Sequence, residues 1–319
     1  MSMASTRWDE GLQTRRGFLS FPAYIPVTTF GQRYPLDEII RPYLSRFAKA
    51  WMVSHYYMQF MPEGTHIPLP LLVDSGGFAS LFEDARILKR NGLGVIERQL
   101  DEDVQRVAPN EVLARQEEIA DIAFTLDFPV PPKMTKKEAH RRLELTIANA
   151  HWALAHRRSK EMKLYACVQA WDRESAQTCA NAYAGYAFDG IAIGGLVPRS
   201  RDVDLIEQIV TTVRECVPDK PIHVFGLGRP RLVTSLFEWG VQSVDSSAYV
   251  KMAADGRLWS DPARRFDSIS PTERLHLALC NLATACQTTL PLSFAEGLFQ
   301  TPSLDRLRQQ EDVSLDEDV

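Results

Sequence analysis

Short, almost continuously apolar runs alternate along this chain with longer runs in which apolar residues recur every three or four positions. Apolar, β-branched runs of this length are typical of parallel strands that are covered on both faces. The predicted strands are residues 51–55, 70–74, 121–127, 163–169, 189–193, 221–226 and 241–245. Because amphipathic runs separate them, the pattern is a repeated β–α alternation, which fits either a doubly wound sheet or a (β/α)8 barrel.

Capping signals mark the ends of several predicted helices. The helices with such signals are 135–158, 172–187, 230–240 and 271–286. Thr135 and Ser270 each stand three residues before a glutamate, the spacing of a capping box. Asp172 is a good N-cap, and residues 230–240 begin with proline and end with glycine. Residues 18–31 are harder to assign and are interpreted as an edge hairpin that closes one end.

Length and composition predict one large domain. The chain has 319 residues, 45% of them hydrophobic, and no obvious linker or internal repeat. The expected division is a single domain over residues 1–305 and an acidic, disordered tail over 306–319. The net charge is −5, but the last ten residues alone contain five acids and no base. The rest of the chain is therefore near neutral, which neither demands nor excludes a nucleic-acid partner.

The sequence predicts a cytoplasmic protein. No apolar run approaches the length of a membrane span, and the first twenty residues contain no apolar signal core. The five cysteines are odd in number and scattered, so they do not form a disulfide framework.

Polar residues and glycines end the predicted strands. They are Asp74, Asp127, Gln169, Gly194 with Gly195, Gly226 with Gly228, and Asp245. In a (β/α)8 barrel these ends converge on the face that holds the active site. Each one singly has a plain structural alternative, because aspartates cap helices and glycines form turns. Three carboxylates at the ends of apolar strands together favour a functional site, since partial burial of charge is costly.

Two carboxylates across one pocket suit displacement at the anomeric carbon of a sugar, with one as nucleophile and the other handling protons. The segment VDSGGF, residues 73–78, fits this chemistry. Gly76 and Gly77 let the backbone approach a flat ligand closely. Phe78 either stacks on that ligand or packs in the core.

Six segments carry a resemblance to a known family. They are VDSGGF, DIAFTLDFPVPP, YACVQ, FDGIAIGGL, VFGLGRP and GVQSVDSSAY. In order and approximate spacing, over roughly residues 65–260, they resemble the tRNA-guanine transglycosylase superfamily. The resemblance implies a (β/α)8 barrel, with irregular N-terminal strands and a C-terminal helix in place of a zinc module. It also implies an enzyme, a pentosyltransferase that exchanges guanine for a 7-deazaguanine base such as preQ0.

The same resemblance implies roles for individual residues. Asp245 corresponds to the nucleophile that forms the glycosyl-enzyme, and Asp74 to the general acid/base. Asp127 and Gln169 correspond to readers of the polar edge of the base, and Phe225 stands where the family usually has methionine. The implied substrate-binding residues are Ser75, Gly76, Phe78, Asp127, Gln169, Gly194, Gly195, Leu196, Phe225 and Gly226.

The chain departs from the family pattern after Asp245. The tRNA enzymes carry Cys-x-Cys-x-x-Cys and a distal histidine there, whereas Cys280 and Cys286 are too far apart for that motif. His276 and Cys280 lie one helical turn apart and offer an alternative metal pair, although packed cysteines are commoner. The sequence therefore predicts no metal and no cofactor. Residues 246–248 also read Ser-Ser-Ala where those enzymes usually have Pro-Thr-Arg.

A shortened member without the zinc module resembles the branch of the superfamily that inserts 7-deazaguanines into DNA. The prediction is therefore base exchange in DNA, in which other proteins of a modification system are potential partners. Two alternatives stay open: the same exchange on tRNA, and a non-catalytic nucleic-acid-binding subunit. The candidate phosphate contacts, each of which has a solvated surface charge as its alternative, are Arg199, Arg201, Arg229, Arg231 and Lys251.

Overall fold

The strands form a central parallel sheet and two small antiparallel sheets. The computed structural model describes residues 10–31, 35–100, 103–263, 265–267 and 269–288. Within these ranges the strands are β1 (Gly11–Thr14), β2 (Gly17–Ser20), β3 (Ala23–Pro26), β4 (Trp51–Ser54), β5 (Leu71–Asp74), β6 (Ala85–Arg90), β7 (Leu93–Leu100), β8 (Asp103–Val107), β9 (Ile122–Phe124), β10 (Lys163–Gln169), β11 (Gly190–Gly194), β12 (Ile222–Val224) and β13 (Ser243–Ser246). Eight of them pair in parallel in the order β3-β13-β12-β11-β10-β9-β5-β4.

The two edges of this sheet meet, so the (β/α)8 barrel is confirmed. A parallel bridge joins Val27, just after β3, to Met52 in β4. The backbone N–H of Thr28 donates to the carbonyl of Met52 at 2.8 Å. The prediction of a hairpin over residues 18–31 was wrong, because only residues 18–20 belong to a hairpin and their partners precede them in the sequence. The hairpin is β1–β2, and β3 is a barrel strand because its backbone pairs with β13.

Helices cover the outside of the barrel. Within the described ranges they are α1 (Pro35–Ile40), α2 (Pro109–Ile119), α3 (Lys136–His156), α4 (Arg173–Asn181), α5 (Val203–Cys216), α6 (Pro230–Glu238), α7 (Ala248–Ala254) and α8 (Pro271–Ala285). The predicted caps hold: the side chains of Thr135, Asp172 and Ser270 each accept a backbone N–H three residues on. The helix predicted to end at residue 187 ends at Asn181.

Alternate residues of the strands point into the barrel. A buried cluster that includes Ile25, Met52, Leu72, Phe124 and Tyr165 fills the interior, separately from the larger core between strands and helices. Side chains two residues apart on a strand share a face. On each strand, the next inward-pointing position toward the carboxyl end is therefore expected to belong to the candidate site.

A three-stranded antiparallel sheet, β6–β7–β8, is inserted between β5 and α2 and was not predicted. It is anchored to α3 by Asn149, which is fully buried. The amide of Asn149 accepts from the backbone N–H of Gly94 at 2.9 Å and donates to the carbonyls of Gly94 and Leu126 at 3.1 and 3.2 Å. One side chain thus ties the inserted sheet to the segment that leads into Asp127.

The division of the chain at residue 305 and its acidic tail lie outside the described residues. No helix in the described part of the chain is long and apolar enough to cross a lipid bilayer.

Candidate active site

Asp74 closes β5 and faces the carboxyl end of the barrel. The backbone N–H of Gly76 donates to its Oδ2 at 3.3 Å. Burial raises the pKa of Asp74 to about 7, and the nearby negative charges of Asp127 and Asp245 act in the same direction. A carboxyl group that titrates near neutral pH is suited to both donating and accepting a proton. Asp127 and Asp245 therefore lie close enough to Asp74 for their charges to act on it.

Asp127 is held by side chains from two neighbouring segments. Ser75 Oγ donates to Asp127 Oδ1 at 2.8 Å, and Gln169 Nε2 donates to Oδ2. Burial raises the pKa of Asp127, and both hydrogen bonds act against that rise. Gln169 Oε1 is buried without a hydrogen-bond partner among the residues that the structure describes. The pair can therefore offer a ligand acceptor oxygens and the second amide N–H of Gln169.

The glycines beside these groups permit close backbone approach. A Cβ on Gly77 would lie 2.2 Å from the carbonyl oxygen of Asp127, and one on Gly194 would lie 2.4 Å from Gln169 Nε2. Neither position accepts a side chain in this arrangement. Leu196, one of the predicted substrate-binding residues, is fully buried in the core, backbone included, and presents no surface to a ligand in this arrangement.

Asp245, on β13, is held through one carboxylate oxygen. His223 Nε2 lies 3.0 Å from Oδ1, and the backbone N–H of Gly226 donates to the same atom at 3.2 Å. Among the hydrogen bonds formed by the described residues, none reaches Oδ2. Asp245 is 7% exposed, so a small part of this residue is accessible to solvent. Gly226 therefore acts on the carboxylate through its backbone.

The two aromatic residues of the predicted set have protein neighbours. Phe78 lies parallel to Tyr57, with an interplanar angle of 17° and ring centroids 5.7 Å apart. Phe225 packs edge to face against Phe124 and His223, with centroids 4.9 and 5.0 Å away. Both side chains are half-buried, so each keeps some surface toward the mouth. Their stacking on a base stays a prediction.

The five basic residues do not form one uniform patch. Arg199 is half-buried, and its Nη1 donates to the carbonyls of Gly195 at 2.7 Å and Val130 at 3.1 Å. Arg199 thereby ties the loop after β11 to the loop after β9. Arg229 donates to the carbonyl of Ser200, which fixes the same region. The side chains of Arg201, Arg229, Arg231 and Lys251 are exposed.

The cysteine and histidine pair on α8 is adjacent, as its spacing predicts. Cys280 Sγ lies 3.6 Å from His276 Nε2. Within the described ranges, no group of three or more His, Cys, Asp or Glu side chains could hold a metal ion.

His223 is the functional candidate that the sequence did not single out. It lies in the middle of β12, fully buried, and contacts Asp245 directly. Its sequence signal is weak, because a single histidine in the apolar run Ile-His-Val-Phe is typical of a satisfied core residue. His223 and Phe225 are two residues apart on the predicted strand 221–226, so both point into the barrel. This alternation is the signal that could have identified His223.

A (β/α)8 barrel with carboxylates at the carboxyl ends of its strands has the architecture of barrel enzymes. Comparison with known proteins identifies the enzyme family. The family described as queuine tRNA-ribosyltransferase matches residues 11–289, so the chain belongs to this family of pentosyltransferases.

Curated relatives come from archaea and bacteria. The chain is 27% identical over 268 residues to the tRNA-guanine(15) transglycosylase of Methanothermobacter thermautotrophicus, covering 78% of this chain and 37% of that protein. It is 32% identical over 162 residues to the enzyme of the same name from Methanocaldococcus jannaschii, covering 49% of this chain and 25% of that protein. It is 25% identical over 284 residues to the queuine tRNA-ribosyltransferase of Marinobacter nauticus, covering 81% of this chain and 74% of that protein. The chain thus spans well under half the length of these archaeal relatives.

Proposed function

We propose that this protein exchanges guanine in a nucleic acid for a 7-deazaguanine base through a covalent intermediate on Asp245. The observation that carries the proposal is the arrangement of Asp245, whose Oδ1 is held by two groups while Oδ2 receives no hydrogen bond from the described residues. Membership of the queuine tRNA-ribosyltransferase family supports it.

The chemistry is a double displacement with retention at C1′. Asp245 Oδ2 attacks C1′, the C1′–N9 bond breaks, and guanine leaves with that electron pair and takes a proton from Asp74. The incoming base then gives its N9 proton to the Asp74 carboxylate. Its N9 attacks C1′, and the bond to Asp245 breaks, which restores the carboxylate. One group titrating near pH 7 serves both proton transfers, since it must be an acid first and a base second.

Recognition of the base is assigned to Asp127 and Gln169. In this proposal Asp127 accepts from the N1–H and the exocyclic amine of the base, because a carboxylate matches paired donors. Gln169 keeps one amide proton beyond the one it gives to Asp127, and this proton is available to the carbonyl of the base. Gly194 and Gly195 form the wall beside it.

The polymer we favour is tRNA. The support is that the archaeal and bacterial relatives above are all named for action on tRNA. Exchange in DNA stays the second candidate, because the sequence after Asp245 departs from the tRNA enzymes in both its Ser-Ser-Ala segment and its cysteine spacing. The two polymers differ at the 2′-hydroxyl of the target nucleotide.

The deciding experiment supplies purified protein with radiolabelled guanine and either a tRNA transcript or DNA of the same sequence. Label in the tRNA alone is the expected result, and mapping the label to nuclease fragments of the tRNA would identify the exchanged position. Label in the DNA alone would favour the second candidate. Label in neither polymer would overturn the exchange proposal and favour a non-catalytic binding subunit.

The polymer must reach the mouth of the barrel with its target base extruded, because a stacked base cannot enter the pocket. Arg229 and Arg231 stand at the N-terminus of α6, where backbone N–H groups already favour an anion. Replacing both by alanine is expected to flatten the slope of log Kd against log salt by about 1 for each phosphate that is no longer neutralised. Filter binding across a salt series measures this slope.

The matched control removes two exposed basic residues at the opposite end of the barrel. Arg158 and Lys160 precede β10, where the strands begin, and both side chains reach solvent. Alanine at these two positions is expected to leave the slope unchanged. If the slope changed equally in both double variants, or in neither, the nucleic acid would not bind specifically at the N-terminus of α6.

A further inference from the structure

A chain of buried polar side chains crosses from β12 to β13 inside the barrel. Parallel pairing places His223 beside Ser243, and Ser243 and Asp245 share the inward face of β13. His223 is fully buried, and its Nδ1 lies 2.8 Å from Ser243 Oγ while its Nε2 lies 3.0 Å from Asp245 Oδ1. Both ring nitrogens therefore have a partner.

The carboxylate of Asp245 determines that Nε2 carries a hydrogen. An ionised Asp245 only accepts hydrogen bonds, so Nε2 carries the hydrogen that is donated to Oδ1. The partner of Nδ1 is the hydroxyl of Ser243, which can donate to this nitrogen or accept from it. This assignment gives both ring nitrogens and the Ser243 hydroxyl a partner in a fully buried position.

We infer that His223 is a positioning residue that, with the backbone N–H of Gly226, holds Oδ1 of Asp245 so that Oδ2 is the atom that bonds to C1′. The inference rests on the proposed function of Asp245. Two donors on one oxygen fix the plane of the carboxylate. They also define Oδ1 as the carbonyl oxygen of the glycosyl ester.

The same hydrogen bond favours one half of the reaction over the other. When the ester forms, the negative charge of Asp245 disappears, and when the ester breaks, the charge returns to the departing carboxylate. A preorganised N–H stabilises the developing charge and therefore speeds the departure. Without His223, the covalent intermediate should be consumed more slowly and should accumulate.

The test compares two substitutions of His223, made in the 319-residue chain, that place an amide group at different distances from the backbone. His223→Gln places an amide N–H close to the position of Nε2, whereas His223→Asn reaches only the position of Nδ1, on the Ser243 side. The Asn variant is expected to lose about 10²-fold in kcat with little change in KM for the base. The Gln variant is expected to recover most of the rate. Denaturing gels of quenched reactions should show more protein–nucleic acid adduct in the Asn variant than in wild type.

His151→Phe is the control for replacing a histidine among aromatic rings. His151 lies on α3 and packs against Tyr183, Tyr186 and Phe188 outside the barrel, so kcat should be unchanged. Equal rates in the Gln and Asn variants, or an equal rise of KM in both, would overturn the positioning role. Absence of adduct and of exchange in the wild type would instead overturn the proposed function. Thermal unfolding of each variant separates a loss of rate from a loss of folded protein.

Discussion

Replacement of Asp245 by asparagine is expected to abolish base exchange, with a loss on the order of 10⁴-fold or more in kcat. The amide keeps the shape of the carboxylate and an oxygen for the bonds from His223 and Gly226. It lacks the anionic nucleophile, so no ester forms and no adduct appears on a denaturing gel. Release of labelled guanine from a nucleic acid that contains it at the target position measures the first displacement directly.

Glu144→Gln is the matched control for the loss of one negative charge. Glu144 is exposed on α3, and its neutralisation should leave both the rate and the adduct unchanged. The Asn variant at 245 should bind the base as wild type does, since the contacts of Asp127 and Gln169 are intact. Full activity in Asp245→Asn would remove the carboxylate from the role of nucleophile.

Asp74→Asn is expected to lower kcat by about 10²- to 10⁴-fold, the range for loss of a general acid/base. Burial and the charges of Asp127 and Asp245 raise the pKa of Asp74 to about 7. In the wild type, kcat/KM for the nucleic acid should therefore fall as pH rises through about 7, because less Asp74 is protonated to serve the departing guanine. The residual activity of the Asn variant should lack this titration. A pH–rate profile of each protein is the measurement.

Although Asp74→Asn should lower kcat, it should raise the stability of the folded protein near neutral and alkaline pH. The folded pKa of Asp74 lies above that of an unfolded aspartate, about 3.9, so the folded state binds the proton more tightly. The stability that protonated Asp74 contributes to the folded state is fully present below pH ~4 and is lost as pH rises through about 7. Asp74→Asn should unfold at a higher temperature than wild type at about pH 8, and the difference should shrink by about pH 5. A variant that is less stable at both pH values would contradict this account.

Much of the barrel could be predicted because its strands are apolar on both faces. The runs that end at Asp74, Gln169 and Asp245 are continuous in the sequence, and the polar residue that stops each run marks the carboxyl end. The inserted sheet escaped prediction for the opposite reason. Its first strand carries Arg86, Lys89 and Arg90 on an exposed surface, so it has no apolar run to recognise.

The contacts of His223 escaped prediction because they depend on strand register. His223 and Asp245 are 22 residues apart in sequence, and only the pairing of β12 with β13 brings them together. Arg199 illustrates the same limit. Its place on the rim formed by the strand ends predicted a phosphate contact, whereas the contact of its Nη1 with the distant carbonyl of Val130 was not predicted. Sequence spacing identifies such groups without showing which partner holds them.

The anchoring of the inserted sheet by Asn149 limits how this barrel can be re-engineered. Deleting residues 85–107 to make a minimal scaffold would leave the buried amide of Asn149 without its two bonds to Gly94. An orphaned buried polar group costs about 1–3 kcal/mol, and α3 would need a compensating apolar substitution there. The turn at Asn91 and Gly92 is exposed, and in natural variation length changes should concentrate at this tip. The strands beneath it would then be retained as a unit.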